Sequence, residues 1–93
     1  MPSPIRIEWT DYLQHRATTR GYSLTMLEEV LRYSEERYRD SETGRLVVIG
    51  RHGNQLVMIP YEIEVNVMTP VTVHSTSRQQ IRFRLQSGRL TVE

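Results

Sequence analysis

Three runs rich in Val and Ile between residues 45 and 74 constrain this chain more than anything else in it. The first is Arg45-Leu46-Val47-Val48-Ile49-Gly50. A polar turn, Arg51-His52-Gly53-Asn54, leads to the second, Gln55-Leu56-Val57-Met58-Ile59-Pro60-Tyr61. Glu62 to Asn66 then leads to the third, Val67-Met68-Thr69-Pro70-Val71-Thr72-Val73-His74. Short β-branched runs bounded by Gly and Asn read as strands of an antiparallel sheet. In the second run Leu56 and Met58 fall on one face, and Val57, Ile59 and Tyr61 on the other. A strand apolar on both faces is central or covered on both sides. Pro60 has no N–H to give a ladder, so the strand is expected to end, bulge or run along an edge there, and Pro70 to divide the third run.

The segments before and after must pack on that sheet. Ile5-Arg6-Ile7-Glu8-Trp9 alternates apolar and polar, as a short strand or extended arm anchored by Trp9. Thr10 or Asp11 can cap a helix over 11–19 carrying Tyr12, Leu13 and Ala17, with Gly21 taking the left-handed position that ends it. A second helix is expected at about 24–37, opened by Thr25-Met26-Leu27-Glu28 as a capping box. Leu27, Val30 and Leu31 share one face, and Glu28–Arg32 and Glu35–Arg39 have the favoured i,i+4 order for exposed ion pairs. Asp40 to Gly44 reads as the loop into the sheet. The tail is open between two readings. Ile81-Arg82-Phe83-Arg84-Leu85 alternates like a strand, whereas Thr76 or Ser77 as caps and Gly88 as a stop slightly favour a helix. The whole is a single α+β domain over 1–93: two N-terminal helices on a small antiparallel sheet of three to four strands, with a short C-terminal helix.

Ninety-three residues suffice for one compact domain and a modest core, which association would supplement. Without cysteine there is neither a disulfide framework nor thiolate chemistry, and a reducing cytoplasm is the simpler expectation. No apolar run approaches the ~20 residues of a membrane span, and the start, Met1-Pro2-Ser3-Pro4, lacks the pattern of a signal peptide. The net charge of +1 conceals a division. Residues 21–44 carry six acids against three Arg, and residues 65–93 carry Arg78, Arg82, Arg84 and Arg89 against Glu93 alone. Every basic side chain is Arg, whose planar fork suits phosphates, carboxylates and stacked bases. The two regions can each bind a partner, or attract one another within the fold.

There is no Gly-rich phosphate loop, no metal-ligand spacing and no Gly-x-Ser-x-Gly nucleophile, and no cofactor is expected. His15, His52 and His74 stand far apart in sequence. What remains is a polar set at the rims of the sheet: Arg45, Arg51, His52, Tyr61, Glu62, His74 and Arg78. His moves protons near neutral pH, and Arg stabilises charge on a phosphoryl group in transfer. RNA supplies its own nucleophile, the 2′-OH, so these parts would suffice for cleavage without a metal if they met. The candidate catalytic residues are His74, Arg78, Arg45, His52 and Tyr61, with Arg51, Arg82 and Arg84 as RNA-binding candidates. Each has a plainer reading. His52 suits a solvated turn, His74 a local hydrogen bond, His15 a helix surface and Tyr61 the core. Tyr33 and Tyr38 suit packing beside the helix rather than base stacking.

Ile7-Glu8-Trp9 with Asp11, then His15, then Arg20-Gly21-Tyr22-Ser23 opening a helix with Leu27, Glu28 and Val30, resembles the BrnT-like toxins and the related small domains of the RelE/ParE toxin superfamily. Gly50 and Arg78 fall after strands, where that family tends to carry a Gly and an Arg. The resemblance covers roughly residues 7 to 84 through short, permissive motifs. It implies a toxin-like ribonuclease of a toxin–antitoxin system, held inactive by a small antitoxin-like partner. Under it Arg78 and Arg82 take the family's basic positions. The chain departs from the pattern in its closing helix, where Gln80 and Phe83 or Leu85 stand in place of an acid and a phenol. That departure favours the alternative of a non-catalytic module that binds a protein or a second copy of itself, and simple RNA binding through the Arg-rich tail is a third reading.

Overall fold

The computed structural model describes residues 5–93; the stretch read above as lacking a signal peptide, residues 1–4, lies outside the described residues. The elements run β1 (Arg6–Ile7), α1 (Asp11–Arg20), α2 (Leu24–Tyr33), β2 (Glu36–Asp40), β3 (Leu46–His52), β4 (Gln55–Glu64), β5 (Val67–Pro70), β6 (His74–Thr76), α3 (Arg78–Gln86) and β7 (Leu90–Val92). Among the described residues the sheet has seven strands, in the order β1-β5-β4-β3-β2-β7, with β6 beside the first half of β4. Only β1 and β5 pair in parallel. The architecture is α+β, and the sheet is larger than the three to four strands expected.

The three Val/Ile runs form its centre. β3 and β4 pair from Leu46↔Tyr61 to His52↔Gln55. As the alternation predicts, Val48, Val57, Ile59 and Tyr61 face one core, with Leu13, Ala17, Leu27, Val30 and Leu31 of α1 and α2. Val47, Ile49, Leu56 and Met58 face a second core, closed by Ile81 of α3 and Leu90 of β7. The sheet is thus a layer between two helical faces. Each aliphatic side chain fully buried this way contributes about 1.5–3 kcal/mol. Gly50 marks where α2 comes closest: a Cβ there would lie 2.5 and 2.7 Å from the two γ carbons of Val30.

Pro60 does not end β4, which runs on to Glu64. The Pro60 carbonyl accepts from Val71 N–H at 2.8 Å, so the backbone of this residue addresses the β5–β6 side. There the neighbouring strand has left the ladder between Pro70 and His74. The missing N–H therefore falls opposite a break rather than a partner, and Pro70 divides the third run as expected.

The helix ends depart from expectation in informative ways. α1 begins after Thr10, whose Oγ accepts from Leu13 N–H, and stops at Gly21 with φ 76°. α2 is capped by Ser23 rather than Thr25, and ends at Tyr33 rather than near 37. The Ser34 hydroxyl donates to the Ile49 carbonyl and turns the chain onto the sheet. Glu36-Arg37-Tyr38-Arg39-Asp40 then lies as a charged strand on β3, where a helix end and loop had been expected. Glu28–Arg32 forms as predicted at 2.8 Å, but Glu35–Arg39 does not, because Arg39 is in β2 and bonds Glu93 instead. The tail is helical, α3, with Ser77 as its cap and Gly88 at φ 81° behind it.

Candidate functional site

Paired antiparallel residues share a face, so the register assigns the candidate residues to sides. Tyr61 and His52 belong to the α1–α2 side. Tyr61 is only 3% exposed, and its hydroxyl accepts from Arg37 Nη1 at 3.1 Å. It is a core residue whose hydroxyl oxygen is held by Arg37 on the side of the sheet away from α3. His52 Nε2 accepts from the Ser23 backbone N–H at 2.8 Å, and its ring meets the edge of Tyr22 at 5.1 Å. Rather than a solvated turn residue, it holds the start of α2 on the β3–β4 hairpin. Tyr33, expected to pack, is 76% exposed. His15 lies exposed on α1.

The remaining candidates belong to the α3 side, but not at one point. Arg78 sits in the first turn of α3 and gives Nη1 to Glu36 of β2 at 2.7 Å. Burial alone would raise the Glu36 carboxyl, but hydrogen bonds from Arg78 and Tyr38 and the charge of Arg78 hold it below its ordinary value. Burial and the same carboxylate push the Tyr38 phenol up to about 12. Arg78 thus fastens α3 to β2. Arg51, paired with Leu56, is exposed near the hairpin turn, and Arg82 is exposed on α3.

Arg45, His74 and Arg84 do come together. They line a cleft of about 430 Å³ with Asp40, Thr72 and Gln80, floored by Met58 and Pro60. His74 is half-buried on β6 opposite Met58. Arg16, reaching round the sheet edge from α1, gives Nε to the Val73 carbonyl at 3.0 Å and Nη2 to His74 Nδ1 at 3.1 Å. A guanidinium only donates, so Nδ1 is the acceptor and the neutral ring carries its proton on Nε2. Burial, then Arg16, Arg20 and Arg84, push the imidazole below its ordinary pKa. His74 is therefore a neutral donor at pH 7, with its lone pair already engaged. The one carboxylate in the cleft, Asp40, is engaged through Oδ1, which accepts from Arg89 Nε at 2.8 Å and from the N–H groups of Glu42 and Thr43. The Arg89 hydrogen bond keeps Asp40 below the usual carboxylate range.

Outside this cleft the exposed face of α3 borders a groove of about 900 Å³ lined by Gln79, Arg82, Phe83, Arg84 and Gln86, and by Glu42, which Arg89 pairs at 2.6 Å. Arg78-Gln79-Gln80-Ile81-Arg82-Phe83-Arg84-Leu85-Gln86 contains three Arg and no acid, and Phe83 is 69% exposed. Arg84 lines both hollows. Sequence reasoning did not reach Arg16 or Thr72. Arg16 lies 58 residues from His74, and no local pattern joins them. For Thr72 a signal existed in its place two residues beyond Pro70, where the strand was expected to break.

No protein-family model, curated protein or solved structure matches this chain. Among the described residues no three His, Asp or Glu side chains gather in a metal-binding group, and no helix is long and apolar enough to cross a membrane.

Proposed function

We propose that this protein binds RNA through the α3 side of its sheet. The observation that carries the reading is the composition of α3 itself. Three arginines without a single acid stand on one nine-residue helix beside an exposed aromatic ring. Single-stranded nucleic acid is held by such a combination, cations along the backbone and an aromatic face for the bases. Arg82 and Arg84 are the phosphate contacts on this reading, and Phe83 the stacking surface. Arg78 contributes less, because Glu36 neutralises it.

A toxin-like, metal-independent ribonuclease is the second reading, favoured by the convergence of His74, Arg45 and Arg84 in one cleft. Cleavage through the 2′-OH needs a group that accepts its proton. His74, with Nδ1 held by Arg16, is arranged as a donor. Tyr61 and His52 stand on the other side of the sheet, engaged by Arg37 and Ser23. The arrangement thus favours holding RNA over cutting it.

One experiment separates the two. A fluorescently labelled single-stranded oligoribonucleotide is incubated with the full chain and followed by anisotropy and by denaturing gel. The proposal expects saturable binding of intact RNA, weakened roughly tenfold in Arg84→Gln, as for loss of one charge-assisted contact. Time-dependent fragments absent from a His74→Gln sample would establish the ribonuclease instead. Absence of both binding and cleavage would leave the protein- or self-binding role.

A further inference from the structure

We infer that the cleft beneath the break between β5 and β6 is a site for a phosphomonoester, the terminal phosphate of an RNA chain. The inference deepens the RNA reading and rests on it for the molecule that bears the phosphate, not for the phosphate itself.

Among the described residues, two buried side-chain polar atoms have no hydrogen-bond partner in the protein: Arg45 Nε and Thr72 Oγ1. Folded proteins leave few such atoms, because each forfeits its solvation without compensation. These two come from different elements, the connection into β3 and the strand break, yet both residues line the same cleft. Glu62, at 3.9 Å from Arg45 Nε, is too distant for a hydrogen bond.

The other groups in the cleft agree in sign. His74 offers Nε2–H, because Arg16 holds Nδ1. Gln80 accepts from the Thr76 hydroxyl through Oε1 at 3.3 Å, which leaves its amide NH₂ to donate. Arg84 lines the cleft without an ion pair among the described residues. Asp40 is paired to Arg89, and its Oδ1 also accepts from two backbone N–H groups. The cleft gathers five donor side chains, Arg45, Thr72, His74, Gln80 and Arg84, around one carboxylate, Asp40, which Arg89 pairs. A ligand that answers this excess of donors is an anion. Arg84, Arg45 (which shares its charge with Glu62 at 3.9 Å) and Arg16 behind His74 match the charge of roughly −1.5 to −2 on a phosphomonoester better than the single charge of a diester link. Its three terminal oxygens also match donors arriving from the β2–β3 connection, the β5–β6 break and α3. A chain lying along the outer groove would place its end here through Arg84, which lines both hollows.

The test uses the full chain, inorganic phosphate, and one labelled oligoribonucleotide in 5′-phosphate, 3′-phosphate and unphosphorylated forms. Thr72→Val removes the unpartnered hydroxyl while keeping the side chain's shape, so the fold should hold and the melting temperature without phosphate should not fall. Inorganic phosphate is expected to raise the melting temperature of the wild type, as any ligand of the folded state does. That rise should shrink in Thr72→Val, with phosphate affinity reduced about tenfold, the loss typical of a hydrogen bond to a charged group. One phosphorylated RNA end should bind about tenfold more tightly than its hydroxyl twin, and Thr72→Val should erase that preference. A wild type indifferent to phosphate, or an equal phosphate response in Thr72→Val, overturns the site. RNA bound with no preference for either phosphorylated end overturns the chain-end assignment and leaves the RNA reading intact. Phosphate binding without RNA binding supports the site and overturns the RNA reading.

Discussion

Replacing Gly50 by alanine sets two physical effects against each other. Gly50 lies inside β3, where glycine is a poor strand residue, so propensity alone predicts that Gly50→Ala stabilises by several tenths of a kcal/mol. The packing predicts the opposite. The new methyl would stand 2.5 and 2.7 Å from the Val30 γ carbons and 3.1 Å from its Cβ, against ordinary carbon contacts of about 3.5–4.0 Å. Val30 cannot turn aside, because a β-branched residue in a helix has one strongly preferred χ1. α2 must therefore move off the sheet by about 1 Å, loosening Leu27 and Leu31, which are fully buried. Overpacking of this kind costs about 1–3 kcal/mol. For a chain of this size that lowers Tm by roughly 4–8 °C per kcal/mol. Urea unfolding of wild type, Gly50→Ala, Val30→Ala and the double variant closes the cycle. Val30→Ala alone should destabilise by cavity formation, and the double variant should be more stable than the sum of the singles by about 1 kcal/mol or more. A neutral Gly50→Ala, or strict additivity, would refute the close seating of α2.

Three further outcomes follow from the side-chain contacts. Tyr61→Phe removes the acceptor of Arg37 Nη1 and should destabilise by about 0.5–1.5 kcal/mol in urea while leaving RNA affinity unchanged. Arg78→Ala breaks an exposed ion pair and should change stability by no more than about 1 kcal/mol, with a smaller loss of RNA affinity than Arg84→Gln in the same anisotropy assay. The depressed pKa of His74 means that the unfolded chain takes up a proton first as pH falls. Its contribution is therefore complete above the ordinary value of 6.5 and is lost below it, until the folded pKa is passed. Melting temperatures between pH 7.5 and 5.5 should fall less in His74→Gln than in the wild type, and parallel profiles would contradict the burial and the Arg16, Arg20 and Arg84 field assigned to that ring.

Much of the fold could be read from residue order, and the reasons are local. The face assignment along Leu56 to Tyr61 follows from a period of two, and the ends of α1 and α3 from Thr10, Gly21, Ser77 and Gly88. β2 was hidden because Glu36 to Asp40 is charged, so nothing in it says strand until β3 offers an edge. β1 lies within the alternation of Ile5 to Trp9, whereas β7 is three residues long, too short for any periodicity to speak. For the candidate site the division is similar. Arg45, His74 and Arg84 were picked out by chemistry and do share a cleft. Tyr61 and His52 were chosen on the same chemical grounds, but the register carries them to the opposite face. Arg16 joins the cleft from an element far away in sequence, and only the packed fold shows that it occupies the lone pair a base would need.

The most direct test of RNA binding on α3 is the salt dependence of that binding. Anisotropy titrations of a single-stranded oligoribonucleotide between 50 and 200 mM salt should give log affinity falling linearly with log salt. Each phosphate neutralised contributes roughly −0.7 to the slope for a single strand. With Arg82 and Arg84 both engaged, the Arg82→Gln/Arg84→Gln variant should lose about 1.4 of that slope along with most of the affinity. An affinity indifferent to salt, or a double variant that binds with the wild-type slope, would contradict the account.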